Sequence, residues 1–229
     1  MEGFVKESIM TEIKICGLTR PEEAAYLNEA SIDYAGFVFY EKSRRNVSIK
    51  RAEQIMKELD PSIKKVAVTV SPDSVLIDKL QNSGFDILQV HGELSEEVLK
   101  MIQKPVFLAM NIEDVDNLYE KLKFYEMIST DLSGKINGIL ADAPQFGSGK
   151  PFNWHRSRRL LQAGDRSSPL YGKKFILAGG LNSENVTQGI RIFNPDAVDV
   201  SSSVEGEDGK SRDKIQEFVK AVRKGEINE

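Results

Sequence analysis

Glu12-Ile13-Lys14-Ile15-Cys16-Gly17-Leu18-Thr19-Arg20-Pro21 starts as a strand and finishes as the opening of a helix. Its first five residues alternate around β-branched positions, Gly17 breaks the run, and Thr19 followed by Pro21 has the chemistry of a helix cap. The same strand–turn–helix grammar recurs along the chain. Strands are predicted over residues 12–16, 34–40, 65–70, 86–90, 105–109, 137–142, 174–177 and 197–200. Amphipathic helices are predicted over 20–29, 49–59, 73–83, 95–102, 114–125, 153–162, 183–193 and 212–223. Ser71-Pro72-Asp73, Ser95 with Glu96 and Glu97, and Asn182-Ser183-Glu184 are further cap signals. Alternating strands and helices imply a parallel sheet with right-handed crossovers. Such repeats close naturally into a single (β/α)8 TIM barrel, expected over residues 11–229 behind an N-terminal extension, 1–10. A doubly wound open sheet is the weaker alternative. In a barrel the working face is the rim at the C-terminal strand ends, and the polar loop 163–172 falls on the opposite face.

Bulk properties narrow the function classes. The chain has 229 residues, of which 40% are hydrophobic and 29% charged, enough for a full core without staples. A net charge of −4 supplies no basic footprint for nucleic acid. No apolar run approaches the roughly 18 residues of a membrane span, and the first ten residues lack a signal-peptide core. One cysteine cannot form an internal disulfide, so a reducing, cytoplasmic setting is expected.

Period two sorts each strand into two faces. Cys16 shares a face with Lys14, Gln89 with His91, Leu140 with Asp142, and Ala197 with Asp199. Ile13, Ile15, Leu88 and Val90 then point toward the helices. Cys16, His91, Asp142 and Asp199 thus converge on one barrel mouth, provided that no strand slips by a residue.

Cys16 out of context reads as a small buried hydrophobe. At a strand end before a helix start it reads instead as a thiol poised to ionise, a competent base or nucleophile. Asp142 is either a loop-capping aspartate or, in the mouth beside Gly147-Ser148-Gly149, a general acid kept protonated by desolvation. After strands seven and eight come Ala178-Gly179-Gly180-Leu181-Asn182 and Val200-Ser201-Ser202-Ser203-Val204. The first exposes backbone N–H groups and the second has the makings of a short helix start, two features that suit phosphate. The run Glu41-Lys42-Ser43-Arg44-Arg45-Asn46 is either a solvated loop or the seat of a carboxylate-clamping arginine. His91 reads as a pocket residue or a loop-orienting one, and His155 beside Trp154 as structural. Two histidines and one cysteine make no metal-ligand cluster, so neither a metal nor an organic cofactor is expected.

These segments, in this order, resemble the phosphoribosylanthranilate isomerase family of tryptophan biosynthesis. The likeness runs through Lys14–Pro21, Gly36-Phe37-Val38-Phe39-Tyr40, Lys42–Arg45 and Gln89-Val90-His91-Gly92. It continues through Asp142, Gly147–Gly149, Phe152-Asn153-Trp154, Ala178–Leu181 and Asp199–Ser202. The resemblance implies Cys16 as general base, Asp142 as general acid and Arg45 as the substrate-carboxylate contact. Gly179, Gly180, Ser201 and Ser202 are implied to hold phosphate, and His91 and Asp199 to line the pocket. It further implies a small phosphorylated substrate, no cofactor, no nucleic-acid or membrane partner, and a monomer or homodimer. The chain departs from the family pattern at Thr69 (an aromatic is usual), Phe146 (glycine), Asn153 (aspartate) and Ser203 (glycine or alanine). The alternatives are an isomerase of another phosphorylated amino-sugar, expected to carry aspartate at position 16, and a non-catalytic barrel that binds a phosphometabolite.

Overall fold

The computed structural model describes residues 10–111, 134–142 and 172–226. The chain runs β1 (Glu12–Cys16), α1 (Glu23–Glu29), β2 (Tyr34–Phe39), α2 (Ile49–Met56), β3 (Lys64–Val70), α3 (Ser74–Gln81), β4 (Ile87–His91) and α4 (Glu96–Met101). It continues through β5 (Val106–Asn111), β6 (Ile136–Asp142), β7 (Lys174–Leu177), α5 (Val186–Phe193) and β8 (Ala197–Val200). A 3₁₀ turn (Ser202–Val204), a small hairpin of β9 (Glu205–Gly206) and β10 (Gly209–Lys210), and α6 (Arg212–Glu226) follow. Strands β1 to β8 form a closed barrel in sequence order, every pair parallel, with β1 hydrogen-bonded to both β2 and β8. The expected barrel is therefore present, and the open-sheet alternative is excluded by the β1–β8 ladder. The predicted helices over 114–125 and 153–162, residues 143–150 and loop residues 163–171 lie outside the described residues, as does the extension over 1–9.

Alternation sorts the side chains as the pattern predicts. Ile13, Ile15, Leu88, Val90, Ile139 and Ala141 join the layer between strands and helices. Tyr34, Val66, Val68, Ile87, Phe107, Leu140, Ile176 and Ala197 fill the barrel interior with Cys16. Tyr34 and Phe107 meet edge to face at 5.6 Å, the geometry favoured by the ring quadrupoles. Gly138 makes room for them, because a Cβ there would stand 2.5 Å from Phe107 Cδ1. Below this layer the Tyr34 hydroxyl donates to Glu12 Oε2 at 2.7 Å, and Lys174 pairs with Glu12, closing the N-terminal end.

Helix starts follow local chemistry, with two corrections, at α1 and at α5, which begins at Val186 instead of residue 183. Asp73 caps α3 by accepting from Leu76 N, and Ser95 caps α4 by accepting from Val98 N, as expected. Thr19 does not cap α1. That helix begins at Glu23 instead of residue 20, and the Glu23 carboxylate reaches back to accept from Thr19 N (2.7 Å) and Arg20 N (3.1 Å). An acidic side chain on those N–H groups satisfies two donors and carries charge, which a threonine hydroxyl cannot match. Its other oxygen accepts from Lys210 N at 2.8 Å, tying the first βα loop to the hairpin after β8. Asn182 and Asn185 bracket the α5 entry: Asn182 Oδ1 accepts from Glu184 N and Asn185 N, while Asn185 Oδ1 accepts from Asn182 N. Among the described residues, no helix is long and apolar enough to cross a membrane.

Glu23 is fully buried, so deleting its carboxylate strands three N–H donors. Glu23→Ala is expected to lower the unfolding free energy by about 2–4 kcal/mol, at about 1–3 kcal/mol per unsatisfied buried group with partial relaxation. Urea denaturation measures this; a loss below about 0.5 kcal/mol is what an ordinary surface position gives and would contradict the role.

Candidate active site

At the C-terminal rim, β1 ends on Cys16, which is 8% exposed and faces inward. Gly36 of β2 lies against it: a Cβ at that position would stand 2.9 Å from Cys16 Sγ, so glycine leaves the thiol its space. Gly17 follows with φ +87°, and a Cβ there would collide with Arg45 Cδ at 2.4 Å. Both the backbone turn and the passage of Arg45 therefore require glycine. Ser201 Oγ donates to the Cys16 carbonyl at 2.9 Å, linking the ends of β1 and β8.

Two residues before Cys16, on the same inward face, Lys14 is wholly buried and donates to Asp199 Oδ1 at 2.9 Å. Burial pulls the Lys14 ammonium down, but the neighbouring Asp199 carboxylate and Cys16 thiol outweigh it and hold the lysine above its ordinary value. Burial pushes the Cys16 thiol up, and Asp199 adds to that, against the downward pull of Lys14 and Lys210. In the free barrel the thiol is therefore protonated near neutrality, with cations already in place to receive a thiolate.

A second cluster sits at the rim around Glu205. Arg45 donates from Nε to Glu205 Oε1 at 2.5 Å and from Nη2 to Oε2 at 3.2 Å, the bidentate fork typical of guanidinium on carboxylate. Arg44 pairs with the same carboxylate from a largely exposed position, and Lys210 Nζ approaches Oε1 at 2.9 Å. Burial pushes Glu205 up, yet hydrogen bonds and charge from Arg45 and Lys210 prevail and hold it below the usual carboxylate value. Lys210 also donates to the Ser201 carbonyl at 3.0 Å. The run 41–46 thus divides: Arg44 is the solvated member, and Arg45 turns inward.

His91 closes β4 with Gln89 beside it, the Gln89 amide nitrogen 2.9 Å from His91 Nε2. Burial, reinforced by the Lys14 ammonium, pushes the imidazole down to about 3. After β7, Gly179 and Gly180 take φ of 83° and 67°, left-handed values that fit the cradle reading of this loop. Ser202 enters the 3₁₀ turn after β8, where a short helix start was expected. The Ser203 hydroxyl donates to the Leu181 carbonyl at 2.6 Å and joins the loops after β7 and β8. Thr69, in place of an aromatic, donates to the Gln89 carbonyl at 3.2 Å. Asp142 closes β6, opposite Asn111 in the β5–β6 ladder and two positions beyond the inward-facing Leu140. Phe146, Gly147–Gly149, Asn153, Trp154 and His155 lie outside the described residues.

Cys16, His91, Asp199, Ser201 and Arg45 are thus gathered at one rim, with Gly179 and Gly180 on the adjoining loop. Lys14, Glu205 and Lys210 were not singled out from the sequence. The signal for Lys14 was present, since a lysine on the inward face of a strand must find an anion.

A closed (β/α)8 barrel with a buried thiol, paired ionisable groups and glycine- and serine-rich loops on one rim has the architecture of a barrel enzyme. The particular family follows from comparison with known proteins. The family model described as N-(5'phosphoribosyl)anthranilate (PRA) isomerase matches residues 13–221, and the chain belongs to that family. It is 38% identical to the N-(5'-phosphoribosyl)anthranilate isomerase of Streptococcus gordonii, over 94% of this chain and all of that protein. The phosphoribosyl anthranilate isomerase of Thermotoga maritima superposes with a TM-score of 0.77 at 33% identity, covering 94% of this chain and 100% of that one. A phosphoribosyl anthranilate isomerase solved with reduced 1-(o-carboxyphenylamino)-1-deoxyribulose 5-phosphate is similar at 31% identity and TM-score 0.73, with the same coverage.

A neutral His91 has a measurable consequence. The unfolded chain takes up a proton near pH 6.5 that the folded chain refuses until about 3. Stability is therefore complete above 6.5 and is lost as pH falls through that window. The His91 ring resonances, assigned against His91→Gln, should stay at their neutral positions through an NMR titration across pH 6.5. A full titration step there would contradict the burial argument.

Proposed function

We propose that this chain catalyses the Amadori rearrangement of N-(5'-phosphoribosyl)anthranilate to 1-(2-carboxyphenylamino)-1-deoxyribulose 5-phosphate, with Cys16 and Asp142 as its base and acid. The observation that carries this reading is that Cys16 closes β1 and Asp142 closes β6 on the same rim of one closed barrel. Asp142 donates a proton to the furanose ring oxygen; the C1–O bond breaks and the amine lone pair forms the iminium. Cys16, as thiolate, removes the C2 proton, and the C–H electron pair flows into the iminium to give the enolamine. Tautomerisation then yields the amino-ketone. The iminium is itself the electron sink, so these steps call for no metal or organic cofactor.

The remaining roles follow from charge and geometry. Gly179, Gly180, Ser201 and Ser202 offer backbone N–H donors to the phosphate, and Ser202 adds its hydroxyl. Arg45 commits two N–H groups to Glu205 and keeps three of its five for the anthranilate carboxylate. His91, uncharged, and Asp199 line the pocket. The acid must be neutral and the thiol must lose its proton before the C2 step, so each needs its own electrostatic setting, and separate strands supply it. The single cysteine fits a cytoplasmic enzyme.

Loss of substrate fluorescence on adding the protein is the direct assay. Cys16→Ser and Asp142→Asn should each lower kcat by about 100-fold or more, the scale of general acid–base catalysis, with KM nearly unchanged; wild-type turnover in either removes that residue from the mechanism. Arg45→Ala should act mainly on KM, and an unchanged KM would dismiss the carboxylate contact.

A further inference from the structure

Lys14 is a lysine with no exposed surface, on the inward face of a barrel whose interior is largely filled by apolar side chains. A buried ion pair is a poor device for stability alone, because apolar side chains of similar volume do as well or better. Its position suggests another use. Lys14 and Cys16 are inward neighbours on β1, and Lys14 lies directly opposite Asp199 in the β1–β8 ladder. The 2.9 Å contact to Asp199 fixes the ammonium on the inward face that Cys16 shares, where its charge pulls the thiol down.

We propose that Lys14, anchored by Asp199, is a positioning residue for Cys16: its ammonium is the fixed positive charge against which Sγ ionises inside the barrel. The groups around Sγ make it the principal candidate. β2 presents Gly36, which has no charge, and β4 presents His91, which is neutral. β8 presents Asp199, whose carboxylate opposes a thiolate. From the hairpin comes Lys210, but its ammonium is engaged by Glu205 and by the Ser201 carbonyl. Arg45 passes over Gly17 and is held by Glu205. Lys14 shares the inward face of β1 with Cys16, and its downward pull on the thiol outweighs the upward push of Asp199. Asp199 then has a double effect. It keeps Lys14 charged despite burial, and its own charge works against the thiolate.

This inference rests on Cys16 being the base of the proposed reaction, but its test reads thiol ionisation and not turnover. Cys16 is the only cysteine in the chain, so the ultraviolet thiolate absorbance, taken against Cys16→Ser across a pH series, reports one site. In Lys14→Met the ionisation midpoint should rise, and the thiolate fraction at a fixed pH below the midpoint should fall about tenfold or more, the change for one pKa unit. Should Lys14→Met fail to fold around its stranded carboxylate, Lys14→Met/Asp199→Asn removes both charges. That variant should still ionise at a higher midpoint than the wild type, because the larger of two opposed effects is lost. A wild-type midpoint in whichever variant folds overturns the proposal. Full turnover by Cys16→Ser would instead dismiss the base and leave the ionisation result standing.

Discussion

The ladder between β1 and β8 is the constraint on which the molecule depends. It closes the barrel, and its register sets Lys14 beside Asp199. Both side chains point into a space from which water is excluded, where an unpaired charge is costly and a broken pair typically loses about 3–5 kcal/mol. A slip of one residue would send Lys14 into the helix layer and bring Ile13 and Ile15 inward. Closure of the barrel and neutralisation of its interior are therefore one event. The same register carries Cys16 to the rim and leaves Gly36 of β2 as its neighbour.

Above that pair, two carboxylates organise the rim. Glu23 binds the backbone of the first βα loop on one oxygen and the hairpin on the other. Glu205, in the hairpin, holds Arg44 and Arg45 from the second βα loop and Lys210 from its own partner strand. Lys214 of α6 donates to the Glu205 carbonyl at 2.6 Å, which fastens the hairpin from behind. Loops after β1, β2 and β8 thus act as one piece although they are covalently remote. Ser203, reaching the Leu181 carbonyl, brings the loop after β7 into the same network. The rim's parts are thus oriented before any ligand arrives, and preorganisation of this kind lowers the cost of binding.

The reading of strands succeeded because alternation is local: each residue's neighbours two positions away decide its face. Cys16, His91 and Asp199 were placed inward on that basis alone. Caps formed by Asp73 and Ser95 were legible for the same reason, as both act within three residues. Thr19 failed because the competing acceptor, Glu23, also seals a contact to Lys210 that no local window contains. The hairpin of β9 and β10 was missed because strands of two residues carry no period.

The repeating βα architecture, the inward face of each strand, the glycines at the turns and the family motifs are legible from the amino acids alone. Each is written in residues close together along the chain. The pairing of Lys14 with Asp199, the seat of Arg45 on Glu205 and the meeting of Glu23 with Lys210 emerge only from the folded chain. These partners stand 185, 160 and 187 positions apart. Which distant charge a buried side chain meets is settled by closure of the barrel, since inside it each ion must find its counter-ion or lose the solvation it left behind.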